Sequence, residues 1–152
     1  MSDKYVICGF SGVGKSTAEQ LHNNVVDFES SAYSHFFNDN HLIGEKNPNF
    51  PRNYVDALCE LMDKGRENVF LLSCHEEVRK ELTDRGIDYV IVMPTYEQKN
   101  DYLKRWLNRG SSIGFIKMMD ERWDEMHCSC ESDSAPKIYL GDYEFIDYVL
   151  PR

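Results

Sequence analysis

"GFSGVGKST", residues 9–17, follows the apolar run YVICGF at 5–10 and opens into STAEQLH, a segment with helical character. Gly9, four intervening residues and then Gly14-Lys15-Ser16 complete the G-x-x-x-x-G-K-[ST] pattern of a loop that wraps a polyphosphate. Gly9, Gly12 and Gly14 permit backbone angles closed to other residues and let amide N–H groups approach an anion. Lys15 then reaches the β- and γ-phosphates, the Ser16 hydroxyl helps hold Mg²⁺, and the following helix aims its N-terminus at the phosphates. A strand before such a loop and a helix after it is the opening unit of an α/β fold.

The rest of the chain extends that alternation. Further apolar runs stand at 24–28 (NVVDF), 68–74 (NVFLLSC), 88–94 (DYVIVMP) and 137–140 (KIYL), short and rich in the residues of buried parallel strands. Between them, 53–65, 75–86 and 95–110 read as helices, each closing on a glycine, and in the first Val55, Leu58, Cys59 and Met62 share one face. Residues 38–53 are polar, contain prolines and lack periodicity, so a long excursion over the top of the sheet is expected there. Residues 128–136 (CSCESDSAP) read as a surface loop returning to the last strand.

With 152 residues the chain fits one domain, 1–152, with a real core. A formal net charge of -9 disfavours a broad nucleic-acid or membrane footprint. No run reaches the ~18 apolar residues of a membrane span, and MSDKY lacks the apolar core of a signal peptide, so a cytoplasmic protein is expected. Five cysteines at 8, 59, 74, 128 and 130 suit reduced thiols better than a disulfide framework. His127-Cys-Ser-Cys130 lacks the second ligand pair that a zinc site needs.

In open parallel sheets ligands bind beyond the carboxyl ends of the strands, which directs attention to the residues after each run. After the second strand, Asp27 and Glu29 point to the same side of an extended segment. One of them accepts a proton from an acceptor hydroxyl or orients Mg²⁺, with Asp27 the candidate metal group; the alternative is that both only form the turn. At the end of the third run, where nucleotide hydrolases carry a metal-holding Asp, this chain has Ser73, then Cys74 and His75. In DYLKRWLNRG, Arg105 and Arg109 stand four apart, on one helical face, ahead of a glycine–serine pair read as a hinge. Guanidinium groups match phosphate in geometry and charge, so this helix reads as a lid.

The loop, the acids after strand 2, the R-x-x-x-R pair after strand 4 and the short final strand together resemble the P-loop nucleoside monophosphate kinases, the adenylate kinase-like small kinases. The resemblance implies that Gly9, Gly12, Val13, Gly14, Lys15, Ser16 and Thr17 hold the phosphates of ATP and its Mg²⁺. It implies that Arg105 and Arg109, in a lid region of about 95–127, clamp the transferred group. It also implies a three-layer α/β fold with a parallel sheet of five strands in the order 2-3-1-4-5. The expected activity is ATP-dependent phosphoryl transfer to a small acceptor, a nucleotide first. The rivals are a kinase acting on a modified base or end of DNA, and a nucleotide-binding switch that hydrolyses ATP slowly. Arg52 is the only arginine between strand 2 and the helix at 53, and the segment is short for a helical acceptor-binding domain, so Tyr33, Phe36, Phe37 and Phe50 are the candidates to stack a base.

Overall fold

The computed structural model describes residues 4–37 and 43–151. Its centre is β1 (Tyr5–Gly9), flanked by β5 (Val69–Ser73) on one side and β6 (Val90–Pro94) on the other. β2 (Val25–Phe28) pairs outside β5 and β7 (Lys137–Leu140) outside β6, giving the order β2-β5-β1-β6-β7 with every pair parallel. Numbered among themselves, the strands of this sheet run 2-3-1-4-5. Val69, Phe70, Leu71 and Leu72 are all fully buried. Neighbouring residues of a strand face opposite sides, so both faces of the sheet are covered by helices. The result is a three-layer α/β architecture.

The crossovers are α1 (Lys15–Leu21), α3 (Arg52–Lys64), α4 (Glu76–Asp84) and the pair α5 (Lys99–Asn108) and α6 (Ile113–Glu131). α3 buries Tyr54, Val55 and Leu58 and packs against α4. Of the expected stripe Val55 and Leu58 are buried and Cys59 and Met62 are only half-buried against the core, while Tyr54 is buried from outside that stripe. Two 3₁₀ turns, Tyr96–Gln98 and Ile146–Val149, begin the α5 arm and close the chain over α1. Parallel pairing places the ends of β1, β2 and β5 on one edge, with Gly9 opposite Ser73 and Phe28 opposite Leu72. Among the described residues no helix is long and apolar enough to cross a membrane.

Two segments depart from the sequence reading. The expected excursion at 38–53 contains β4 (Ile43–Lys46), which pairs antiparallel with β3 (His35–Phe37) behind the short α2 (Ser31–Ser34); residues 38–42 lie outside the described part. Cross-strand hydrogen bonding supplied what the polar residues showed no period for. The expected loop at 128–136 starts later, because α6 runs to Glu131. Ser112 caps that helix by accepting from the Phe115 N–H at 3.1 Å, and Met119, Trp123, His127 and Cys130 bury one face. That spacing was present in the sequence but split by acidic residues. The glycine–serine hinge is a closed helix–helix connection: Gly110 takes φ +86° and the Ser111 N–H bonds to the Trp106 carbonyl at 3.0 Å.

Candidate functional site

The loop after β1 is shaped by what glycine leaves open. Gly12 and Gly14 sit at φ +92° and +95°, where a side chain is strained. A Cβ on Gly12 would stand 3.0 Å from Trp106 Nε1, and one on Gly14 3.0 Å from the Phe145 ring. Val13 is fully buried beneath the loop, and its carbonyl accepts from the Ile146 N–H at 2.8 Å. The loop is therefore clamped from below by α5 and at its side by the C-terminal turn. Lys15 arches back so that Nζ donates to the Gly9 carbonyl at 2.8 Å. Enclosure pushes the Lys15 ammonium below its ordinary pKa, and Asp27 and then other negative neighbours oppose the shift. Ser16 and Thr17 stand exposed on the first turn of α1.

Asp27 and Glu29, on the same side of the chain, line one cavity with this loop, a space of about 960 Å³. Asp27 Oδ1 is buried with no hydrogen-bond partner, while the Asp27 backbone N–H donates to Glu19 Oε2 at 2.8 Å. Burial raises the Asp27 pKa; Lys15 pulls it back, and Glu29 and Glu19 add to the rise. Glu29 is exposed and accepts from the Ser31 N–H at 3.0 Å, so it also forms the turn into α2. Ser73 faces the cavity and shares a hydrogen bond with Ser30 at 2.8 Å. His75 lines the cavity too, at the N-cap of α4 but making no side-chain cap.

The two lid arginines differ in kind. The Arg105 guanidinium donates to the Gly12 carbonyl at 3.1 Å and the Glu144 carbonyl at 2.9 Å, lies 3.5 Å from Asp101, and is stacked between Tyr102 and Phe145 at 4.3 and 4.2 Å. It ties the arm to the loop and the C-terminal turn through two backbone carbonyls while still lining the cavity. Arg109 is exposed; among the described residues it donates to Ser111 Oγ at 3.0 Å and Ser11 Oγ at 3.4 Å and lies 5.7 Å over the Phe115 ring, which leaves it available to an anion in the cavity. Arg122 on α6, which the sequence reading missed, joins it there, paired only with Glu125 at 3.3 Å. Its position follows from α6 lying over the cavity, a tertiary fact.

At the far end, Arg79 is 4% exposed and fully employed. It donates to the Cys74 carbonyl at 3.2 Å, to Ser129 Oγ at 2.6 Å and to Asp133 at 2.8 Å, while Tyr89 donates to the same carboxylate at 2.7 Å. Cys74 and Cys130 meet there with sulfurs 3.4 Å apart. His127 is buried, its Nε2 3.0 Å from the Pro94 carbonyl, and among the described residues no group of three metal-ligating side chains exists. Of the proposed base-stacking aromatics, Tyr33, Phe36 and Phe50 do not line the cavity. Tyr33 and Phe50 pack on Tyr54 with ring centroids at 5.5 and 5.9 Å, Phe36 is exposed on the hairpin, and the Phe37 side chain lies outside the described part. Tyr54 in turn stacks on Phe28 and donates its hydroxyl to the Phe28 carbonyl, so this cluster anchors the end of β2.

No family model matches the chain, and no curated protein matches it in sequence. Among solved structures it is similar to the tunicamycin resistance protein of Deinococcus radiodurans, with TM-score 0.58 and 19% identity over 93% of this chain and 89% of that one. At that identity the likeness speaks for the fold alone.

Proposed function

We propose that this protein is a P-loop phosphotransferase that moves the γ-phosphoryl group of ATP to an oxygen of a small acceptor. The observation that carries the reading is the Gly9–Thr17 loop, with Gly12 and Gly14 left-handed at the end of the central strand, facing the unpartnered Asp27 carboxylate across one cavity. A Cβ at Gly12 or Gly14 would meet Trp106 or Phe145 at 3.0 Å, so glycine lets the loop pack on these neighbours, and a glycine-rich loop leading into a helix N-terminus suits a wrapped triphosphate. The Ser16 hydroxyl is a hard oxygen donor of the kind Mg²⁺ takes and would hold it; the Asp27 carboxylate is the other such donor, in the alternative where it does not serve as the base. When bound, the ion neutralises charge on the phosphates.

In this reading Lys15 and Arg109 place positive charge beside the transferring group, and Asp27 receives the acceptor's proton. Arg105 holds the loop in shape, and the α5–α6 arm keeps water from the cavity. The tunicamycin resistance likeness is compatible with modification of a small molecule, and a nucleotide, expected from the sequence, is one acceptor to test. A second reading, a slow ATP-hydrolysing switch, draws on Ser73 standing where hydrolases hold metal through an Asp. Incubation with γ-labelled ATP, Mg²⁺ and a panel of nucleosides, nucleotides, short oligonucleotides and other alcohols separates the possibilities. Label appearing on a small acceptor, lost in Lys15→Ala, supports transfer; release of inorganic phosphate alone with every acceptor overturns it in favour of the switch.

A further inference from the structure

Cys74 stands at the turn from β5 into α4 and Cys130 near the end of α6, 56 positions apart in the chain. Both line the cavity, and their sulfurs are 3.4 Å apart. A disulfide bond is about 2.05 Å long, so the two atoms need only a small approach to join. The backbone beside each is already held. Arg79 donates to the Cys74 carbonyl at 3.2 Å and to the carbonyl of Ser129, the residue before Cys130, at 3.2 Å. One guanidinium therefore fastens the two segments that a bridge would connect.

The other thiols are placed differently. Cys8 is fully buried in β1, and burial pushes its thiol up to about 12, which keeps it protonated and inert. Cys59 is half-buried on α3 and Cys128 is exposed on α6; among the described residues neither meets another cysteine sulfur. At Cys130 the S–H donated by Cys74 holds the thiol below its ordinary pKa, against burial and with help from Arg79. A thiolate beside a second thiol and a cation is the arrangement of a reactive pair.

We propose that Cys74 and Cys130 are a reversible redox pair, which a hydroperoxide entering the cavity oxidises to a disulfide that braces the end of α6 against the β5–α4 junction. The Cys130 thiolate attacks one peroxide oxygen, the O–O bond breaks, and the departing oxygen takes a proton from solvent, leaving Cys130 as a sulfenic acid. Cys74 then gives up its proton and attacks the Cys130 sulfur; the S–O bond breaks, and hydroxide leaves with that proton as water. With hydrogen peroxide the balance is two thiols and one peroxide giving one disulfide and two waters. A dithiol reductant reverses the change by exchange. The step involves no phosphoryl transfer and does not depend on which ligand the cavity takes.

The full chain, reduced and then freed of reductant, is treated with a small excess of hydrogen peroxide and quenched with a thiol-alkylating reagent. Two of its five thiols should escape alkylation, and peptide mapping without reductant should give one crosslinked pair, lost on treatment with dithiothreitol. Fragmentation of that pair should place the bridge at Cys74 and Cys130 rather than Cys128. The pair should oxidise about tenfold or more faster than the exposed Cys128. Cys128→Ser should keep the crosslink and Cys130→Ser lose it; mapping of the unaltered chain decides the site even where Cys130→Ser fails to fold. The oxidised chain should melt about 5 °C or more above the reduced one, because the bridge closes a loop of 56 positions. A crosslink through Cys128 or Cys59, a pair still reduced after Cys128 is modified, or an oxidised chain that melts no higher than the reduced one overturns the proposal.

Discussion

The loop after β1 and the α5–α6 arm meet at Arg105, yet they are built by different means. The loop depends on neighbours in sequence: its glycines take angles that only glycine takes freely, and Lys15 folds back onto Gly9 within the same turn. The arm depends on partners far along the chain. Arg105 reaches Gly12 and Glu144, and the end of α6 is fixed through Arg79, Ser129 and Asp133. Local chemistry therefore shapes the loop at which phosphate binding is proposed, while long-range contacts determine which charges remain free around it.

The largest effect is expected in the loop. Lys15→Ala should lower phosphoryl transfer on the order of a hundredfold or more with little change in melting temperature, since a charge beside the transferring group is lost and only one hydrogen bond of structure goes with it. Steady-state kinetics beside a thermal melt checks both halves; near wild-type turnover in a folded variant would break the loop's side of the comparison.

The arm should respond in stability instead. Asp133→Asn leaves the buried Arg79 guanidinium without its counter-charge, a loss of about 3 kcal/mol, or roughly 6–12 °C in melting temperature for a chain of this size. Burial alone would raise the Asp133 pKa, but the Ala135 N–H, Tyr89 and Arg79 outweigh it and hold the carboxyl below its ordinary value. A depressed folded pKa means that the stabilisation is complete above the ordinary carboxylate range and disappears as pH falls through the lowered value. Acid unfolding curves should therefore lose that contribution in Asp133→Asn.

Asp27 reports on the cavity between the two regions. Asp27→Asn should lower the maximal rate about a hundredfold while ATP affinity changes little, if the carboxylate takes the acceptor's proton. Its raised pKa sets the sign of the pH profile in the wild type: transfer should fall on acidification, starting above the usual carboxylate range, as the base becomes protonated. A shift in Mg²⁺ dependence, rather than in this acidic limb, would assign Asp27 to the metal.

The smallest effects, and the sharpest contrast, concern the two arginines. Arg109→Ala should reduce transfer by about tenfold at unchanged melting temperature, because an exposed charge is partly screened. Arg105→Ala should lower the melting temperature and weaken ATP binding together, since it frees two carbonyls and the packing on Tyr102 and Phe145. Identical behaviour of the two variants would erase the distinction drawn between them.

Much of the sheet was legible because β1, β5 and β6 are buried on both faces and their apolar runs stand out against polar neighbours. α6 was harder to see: acidic residues on its outer face divide Met119, Trp123, His127 and Cys130, and its cap Ser112 looks like part of a flexible link. The hairpin of β3 and β4 carries little local signal, because its strands are short and its stability comes from pairing. R-x-x-x-R in the sequence showed two equivalent arginines, since spacing reports a shared helix face and not what that face touches.

By itself the sequence determined the glycine-rich loop, its lysine and serine, the alternation of strands and helices, and the presence of two carboxylates after the second strand. Those features are local: each depends on the conformational range of a residue or on the period of a short segment. Only the tertiary structure decided that, among the described residues, Arg105 and Arg79 bind distant backbone carbonyls, that Arg109 and Arg122 do not, and that Asp27 keeps an oxygen without a partner. Whether a charge is free depends on groups brought near it from tens of residues away, and no pattern within a segment records them.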